Sequence, residues 1–100
     1  MNLAFPMLRH AGAETLPSEQ ALRLLESGGQ LVDIRAPDDF GRDALPGALN
    51  LPLDALCYET GRLKKWRPVI LYSSSGVHSV RAARLLAGRG FSRVYQLSLH

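Results

Sequence analysis

The residues best able to do chemistry lie in one run of small and polar side chains, Ser73-Ser74-Ser75-Gly76-Val77-His78-Ser79. The apolar and aromatic residues just before it, 69–72, predict a buried strand. A helix with one apolar face is predicted by the spacing of four later residues: Val80, Ala83, Leu86 and Ala87. A loop between a strand and a helix directs backbone N–H groups towards one point, where the helix dipole favours an anion or a thiolate. We therefore place the candidate anion-binding site in residues 73–79.

Serine and glycine residues between a strand and a helix also have an ordinary structural explanation, because both are common in turns and serine is a common N-cap. Three other segments favour the functional interpretation: Leu31-Val32-Asp33-Ile34-Arg35, Leu45-Pro46-Gly47-Ala48-Leu49-Asn50-Leu51-Pro52 and Gly90-Phe91-Ser92-Arg93-Val94-Tyr95-Gln96-Leu97. In order and spacing, these segments and the loop resemble a single rhodanese domain over residues 14–97.

Strands that alternate with helices at short intervals predict an α/β fold, with the ligand crevice at the carboxyl ends of the strands. The resemblance implies five strands in a mainly parallel sheet, helices on both faces, and the loop after a central strand. We expect a loosely ordered N-terminal arm over residues 1–13 and the rhodanese-like domain over residues 14–100.

The chain departs from the family at the site itself. The resemblance implies that active members begin this loop with a cysteine that forms a persulfide, and this chain has Ser73 there. A serine hydroxyl cannot carry a persulfide and is far less acidic than a thiol. Relatives often have an arginine at the end of the loop, where His78 is only fractionally charged near neutral pH. The chain as written is therefore expected not to turn over thiosulfate.

Composition limits the other classes of function. A length of 100 residues with 46% hydrophobic and 21% charged content predicts one compact domain. The twelve basic residues are spread along the chain and the net charge is +3, so we expect no nucleic-acid partner. The single cysteine, Cys57, indicates a reducing compartment, and no apolar stretch is long enough for a membrane helix. We expect a cytoplasmic monomer with no membrane association.

Four further groups have a preferred structural interpretation. Asp33 could be a catalytic acid, but an ion pair of Asp33 and Arg35 that fixes the neighbouring loops is preferred, and Arg35 could also border the pocket. Cys57 is expected to be a structural thiol. The basic run Arg62–Pro68 could bind phosphate or stack on bases, but a solvated connection with Leu63 and Trp66 over the core edge is preferred. The helix over 17–27 is expected to bury one face: Ala21, Leu22, Leu24 and Leu25.

We expect neither a metal nor another cofactor, because the available residues lack ligand spacing: His10, Cys57, His78 and His100. Three functions then remain. The first is a non-catalytic module that binds a small sulfur-containing anion, a persulfide-bearing protein or another protein. The second is a sulfurtransferase whose cysteine has been replaced by Ser73. The third and least supported is a serine hydrolase or phosphatase-like enzyme, because no histidine and acidic residue accompany Ser73 in a recognisable motif.

Overall fold

The computed structural model describes residues 13–98, which form one five-stranded parallel sheet. The strands are β1 (Glu14–Pro17), β2 (Gln30–Asp33), β3 (Leu49–Asn50), β4 (Val69–Tyr72) and β5 (Val94–Ser98). Their order across the sheet is β1-β5-β4-β2-β3, and every neighbouring pair is parallel. This confirms the predicted α/β fold with a central strand leading into the loop. The expected arm, residues 1–13, lies outside the described residues except for Ala13, which packs against the core.

Four helices connect the strands: α1 (Ser18–Glu26), α2 (Pro37–Asp43), α3 (Leu53–Glu59) and α4 (Gly76–Gly88). A short 3-10 turn, Thr60–Arg62, follows α3. Each of the first four strands is followed by its helix after at most three residues, as is usual for the connections of a parallel sheet. The apolar run Leu31–Ile34 predicts a buried strand, and β2 begins and ends one residue earlier, whereas β4 begins and ends as predicted.

Strand β4 organises the core because alternate side chains of a strand point to opposite faces of the sheet. Val69 and Leu71 pack on one face with residues of α3 and α4, including Leu56 and Leu86. Ile70 packs on the other face with α1. All three apolar residues of β4 have no exposed surface, as expected for a strand covered on both sides.

Helix α1 buries a narrower face than predicted. Ala21 is buried, and Leu24 and Leu25 pack on the same cluster, as their i, i+3 and i+4 spacing requires. Leu22 lies outside that stripe and is 58% exposed, so its predicted burial was wrong.

Two further predictions were wrong. Residues 91–97 predict the last strand, but β5 begins only at Val94, because Gly90 adopts a positive φ of 95° and the chain folds back onto α4. The Phe91 N–H then donates to Leu86 O, and this turn places the Phe91 ring in the core, where it is buried. Leu63 is buried as expected, but Trp66 is 73% exposed and does not cover the core.

Replacement of Leu86 by alanine is expected to lower the free energy of unfolding by about 2–5 kcal/mol, since this fully buried side chain joins α4 to the sheet. Val77→Ala in the same helix is the control, because Val77 is 68% exposed and should change stability by about 0.5 kcal/mol or less. Urea unfolding measures both. Equal losses for the two variants would contradict the assignment of α4's buried face.

Candidate functional site

The candidate loop lies at the carboxyl end of the central strand. Ser73 directly follows β4, and Ser75 is the N-cap of α4, where its Oγ accepts a hydrogen bond from the Val77 N–H at 3.2 Å. The helix therefore begins at Gly76, so residues 76–79 form its first turn and the loop itself is only residues 73–75. Val77 points to solvent, with 68% of its surface exposed.

The Ser73 hydroxyl contacts two oxygen atoms. Ser73 Oγ donates to Ser75 O at 2.7 Å and lies 2.6 Å from Ser79 Oγ. Because Ser73 has one proton and gives it to the carbonyl, the Ser79 hydroxyl is the donor in the second bond. Ser79 is buried, and its own N–H donates to the same carbonyl at 3.2 Å. Neither partner of Ser73 is a base that could take its proton, as a serine nucleophile would require.

Two cavities flank the loop, and Ser74 lines both of them. The larger, of about 330 Å³, is bordered by Arg35, His78 and Arg81 together with residues of the segments after β2 and β3. The smaller, of about 260 Å³, is lined by Ser73, Ser75, Gly76 and Ser79 and by residues of β1 and β5. The structure thus brings His78 and Arg35 together around one cavity and places Ser73 in the other. Both lie at the carboxyl ends of the strands, where parallel sheets bind ligands.

Asp33 and Arg35 form the ion pair that the sequence analysis preferred. The fully buried Asp33 carboxylate accepts hydrogen bonds from the Arg35 N–H at 2.9 Å and from its guanidinium at 2.9–3.1 Å. The Arg35 guanidinium also donates to Asp43 at 2.9 Å and lies 4.8 Å from the ring centre of Tyr72. Asn50 Nδ2 donates to the carbonyls of both Asp33 and Arg35, which fixes the segment after β2.

These contacts determine the charge that Arg35 offers to a ligand. The hydrogen bonds that the guanidinium donates to Asp33, with a smaller contribution from its bond to Asp43, hold the pKa of Arg35 above its already high usual value. The guanidinium therefore stays charged, but two carboxylates neutralise it. Arg35 borders the larger cavity as a positioned structural group more than as a free cation.

The remaining charges around the larger cavity are mixed. His78 and Arg81 face it from α4, and Asp39 and Asp54 face it from α2 and α3. Asp39 is paired with Arg42, which leaves Asp54 as the acid opposite the two basic residues. As charged residues of a helix with one apolar face, Arg81, Arg84 and Arg89 are expected on its solvated side. Arg81 is exposed but also lines this cavity, which was not predicted. The signal was its i, i+3 spacing from His78, which places both on one face of a helix.

Other residues of chemical interest do not join this site. Cys57 lies half-buried on α3 and lines neither cavity, and its carbonyl accepts a hydrogen bond from Arg89 at 2.9 Å. Among residues 13–98, no group of three or more histidine, cysteine or acidic residues could hold a metal ion. Within the same residues, no helix is both long and apolar enough to cross a membrane.

Known proteins resemble this chain in both sequence and fold. A model of the rhodanese-like domain family matches residues 17–99. The chain is 34% identical over 80 residues to the Bacillus subtilis protein YqhL, covering 80% of this chain and 64%, less than two thirds, of that protein. It is 33% identical over 82 residues to the thiosulfate sulfurtransferase GlpE of Pseudomonas syringae pv. syringae, covering 82% of this chain and 77% of the relative. The crystal structure of reduced Bacillus anthracis CoADR-RHD superimposes with a TM-score of 0.75 at 26% identity, covering 85% of this chain and 15% of that one.

Proposed function

Because this chain belongs to the rhodanese-like domain family, we propose that it is a non-catalytic module of that family, which binds a small sulfur-containing anion or a persulfide-bearing protein beside the Ser73 loop. Ser73 takes the position of the family's persulfide-forming cysteine in this proposal. Its place directly after the central strand and before the helix N-terminus supports that assignment.

The observation that carries the proposal is the bonding of the Ser73 hydroxyl. Its proton is given to the Ser75 carbonyl and its oxygen accepts from Ser79, so the side chain closes the loop as a structural group. A persulfide needs a thiolate sulfur, and a hydroxyl bound in this way supplies neither sulfur nor an accessible anion. These contacts also oppose a serine hydrolase mechanism, because they include no general base.

The larger cavity is the proposed binding site. His78 and Arg81 line this cavity beside the N-terminal turn of α4, where basic side chains and the helix dipole attract a small anion. The Asp54 carboxylate repels an anion in this cavity, and the charge of Arg35 is neutralised by the carboxylates of Asp33 and Asp43. We therefore propose weak binding of anions such as thiosulfate, which is suited to transient contact with a sulfur carrier.

Thiosulfate is expected to shift the amide NMR signals of residues 74–79, because these residues border the proposed site. Arg81→Gln should weaken binding about two- to five-fold and Asp54→Asn should strengthen it by a similar factor, as expected for exposed charges.

Arg84→Gln is the matched control, since Arg84 lies one turn further along α4 and does not line the cavity. It should leave thiosulfate affinity unchanged. Unshifted signals in residues 74–79 together with shifts confined to residues 62–67 would instead locate the anion at the basic run and overturn the proposed site.

One observation favours a second candidate, a sulfurtransferase in which serine replaces the cysteine. The relative from Pseudomonas syringae is named a thiosulfate sulfurtransferase and is 33% identical over most of this chain. The codon at position 73 of the natural gene separates the candidates, because a cysteine codon would indicate an active enzyme and a serine codon the binding module.

A further inference from the structure

Charge is divided unequally along the chain. All nine acidic residues lie between positions 14 and 59, whereas residues 60–100 contain eight of the twelve lysine and arginine residues and no acidic residue. Such an asymmetry is typical of a surface that meets a polyanion. The basic residues look scattered in the sequence, so the question is whether the fold brings them together.

The fold does so around Trp66. The Lys64 amine lies 5.8 Å from the centre of the Trp66 ring, and the Arg93 guanidinium donates to Trp66 O at 3.4 Å. Arg67 and Lys65 flank the ring in the sequence, and all five residues are exposed. We call these residues the basic tryptophan patch: Lys64, Lys65, Trp66, Arg67 and Arg93.

The backbone beneath the patch is held in place by Gln30. Gln30 Nε2 donates to Lys64 O at 2.9 Å and to Arg67 O at 3.3 Å, and the Lys64 N–H donates to Gln30 Oε1 at 2.7 Å. Arg67 Nε donates to Gly28 O at 2.7 Å. These partners are neutral amides and carbonyls, so they fix the loop without cancelling its positive charge. A patch held in this way loses little conformational entropy when a ligand binds.

We propose that the basic tryptophan patch binds single-stranded nucleic acid, with the Trp66 ring stacking on a base and the surrounding cations contacting phosphates. Stacking aromatics among basic side chains are how proteins hold single strands without reading sequence. The sequence-based expectation of no nucleic-acid partner depended on basic residues spread along the chain and on a net charge of only +3. The preference against a binding patch at residues 62–68 depended on Trp66 covering the core edge. In the fold, Trp66 is exposed and basic side chains surround it.

An acidic protein partner fits the surface less well. A protein interface usually has an apolar centre surrounded by a polar rim. In the part of the chain that the structure describes, the large exposed apolar residues are Leu22, Tyr58, Trp66 and Val77, each on a different helix or loop. Trp66 thus stands as a single flat ring among cations. The patch precedes β4 and the Ser73 loop follows it, so the two surfaces lie at opposite ends of the central strand and can be tested independently.

Trp66 is the only tryptophan of the chain, so intrinsic fluorescence reports directly on the patch. We expect a 12-nucleotide oligo(U) RNA and a 12-nucleotide oligo(dT) DNA to quench this fluorescence, and comparison of the two strands distinguishes RNA from DNA. Contact with about four phosphates gives a plot of the logarithm of the association constant against the logarithm of the salt concentration with a slope of about −3. The substitutions Lys64→Glu and Lys65→Glu should each weaken binding and reduce that slope by about 0.7 or more.

Trp66→Ala should weaken binding of fluorescein-labelled oligo(U) by about 5- to 150-fold, measured by anisotropy, because stacking is lost. The control for Lys64→Glu and Lys65→Glu is Arg42→Glu, which makes the same change of charge on the exposed helix α2. Its affinity for the oligonucleotide is expected to stay within two-fold of that of the unsubstituted chain. The absence of binding in low salt would overturn the proposal. Binding of polyglutamate as tight as that of oligo(U) would also overturn it, because that result indicates an acidic protein partner. An equal fall in affinity for Arg42→Glu and Lys64→Glu would overturn it as well, because that result indicates general charge attraction.

Discussion

A Ser73→Cys variant is expected to accept sulfane sulfur from thiosulfate, whereas the chain with Ser73 accepts none. The side chain at position 73 ends the central strand and faces the N-terminal turn of α4, whose dipole stabilises negative charge on a thiolate. The Ser79 hydroxyl, 2.6 Å from Ser73 Oγ, is placed to donate to such a sulfur. The thiolate of the Ser73→Cys variant attacks the sulfane sulfur of thiosulfate, the S–S bond of thiosulfate breaks and sulfite leaves. The gain is from zero to measurable uptake, which mass spectrometry detects as one added sulfur atom.

The restored activity should be modest for a reason that the structure supplies. The Ser75 carbonyl lies 2.7 Å from Ser73 Oγ and would repel a thiolate at that position, so the carbonyl must turn away. His78→Arg in the Ser73→Cys background should raise uptake, because arginine carries a permanent charge. Ser74→Cys is the matched control, since it places a thiol one residue away. Equal uptake by the two cysteine variants would show that position 73 has no special environment.

Asp33→Ala is expected to destabilise the fold by about 3–5 kcal/mol, because it removes the buried partner of a charged guanidinium. Arg35 would keep its charge with only the exposed Asp43 as an acidic partner, and its side chain is 9% exposed. Urea unfolding measures the loss, and Asp33→Asn provides a milder variant if the alanine variant does not fold.

Asp43→Ala is the control for that prediction. Asp43 bonds to the same guanidinium at 2.9 Å, but its side chain is 69% exposed, so its loss should cost about 1 kcal/mol or less. If both variants lost the same stability, the buried ion pair would not be what fixes the segment after β2.

The fold was predictable where local patterns and tertiary packing agree. The run Val69–Tyr72 is apolar throughout, and it became the central strand with the predicted bounds. Helix α4 began earlier than its apolar spacing indicated, because the Ser75 side chain caps it at Gly76. Hydrophobic spacing does not report a cap, so the boundary was missed.

The site was harder to predict because its walls come from distant segments. Thr15 and Gln96 line the smaller cavity together, joined by a 2.7 Å hydrogen bond between Gln96 Nε2 and Thr15 Oγ1. They meet only because β1 pairs with β5, and sheet order does not follow from the alternation of strands and helices. The exposure of Trp66 was missed for a related reason. A tryptophan in a short run of apolar and basic residues can be buried or exposed, and only the fold decides which.

We propose that the chain carries no persulfide because Ser73 takes the position where a cysteine would be needed. The most direct test is thiosulfate:cyanide sulfurtransferase turnover by the unsubstituted chain, compared with a heat-denatured sample. Equal rates in the two samples are expected. Turnover above the denatured sample that persists in Cys57→Ala would show that a residue other than a cysteine supports transfer and would overturn this proposal. Turnover that disappears in Cys57→Ala would overturn it as well, by identifying Cys57 as the sulfur carrier.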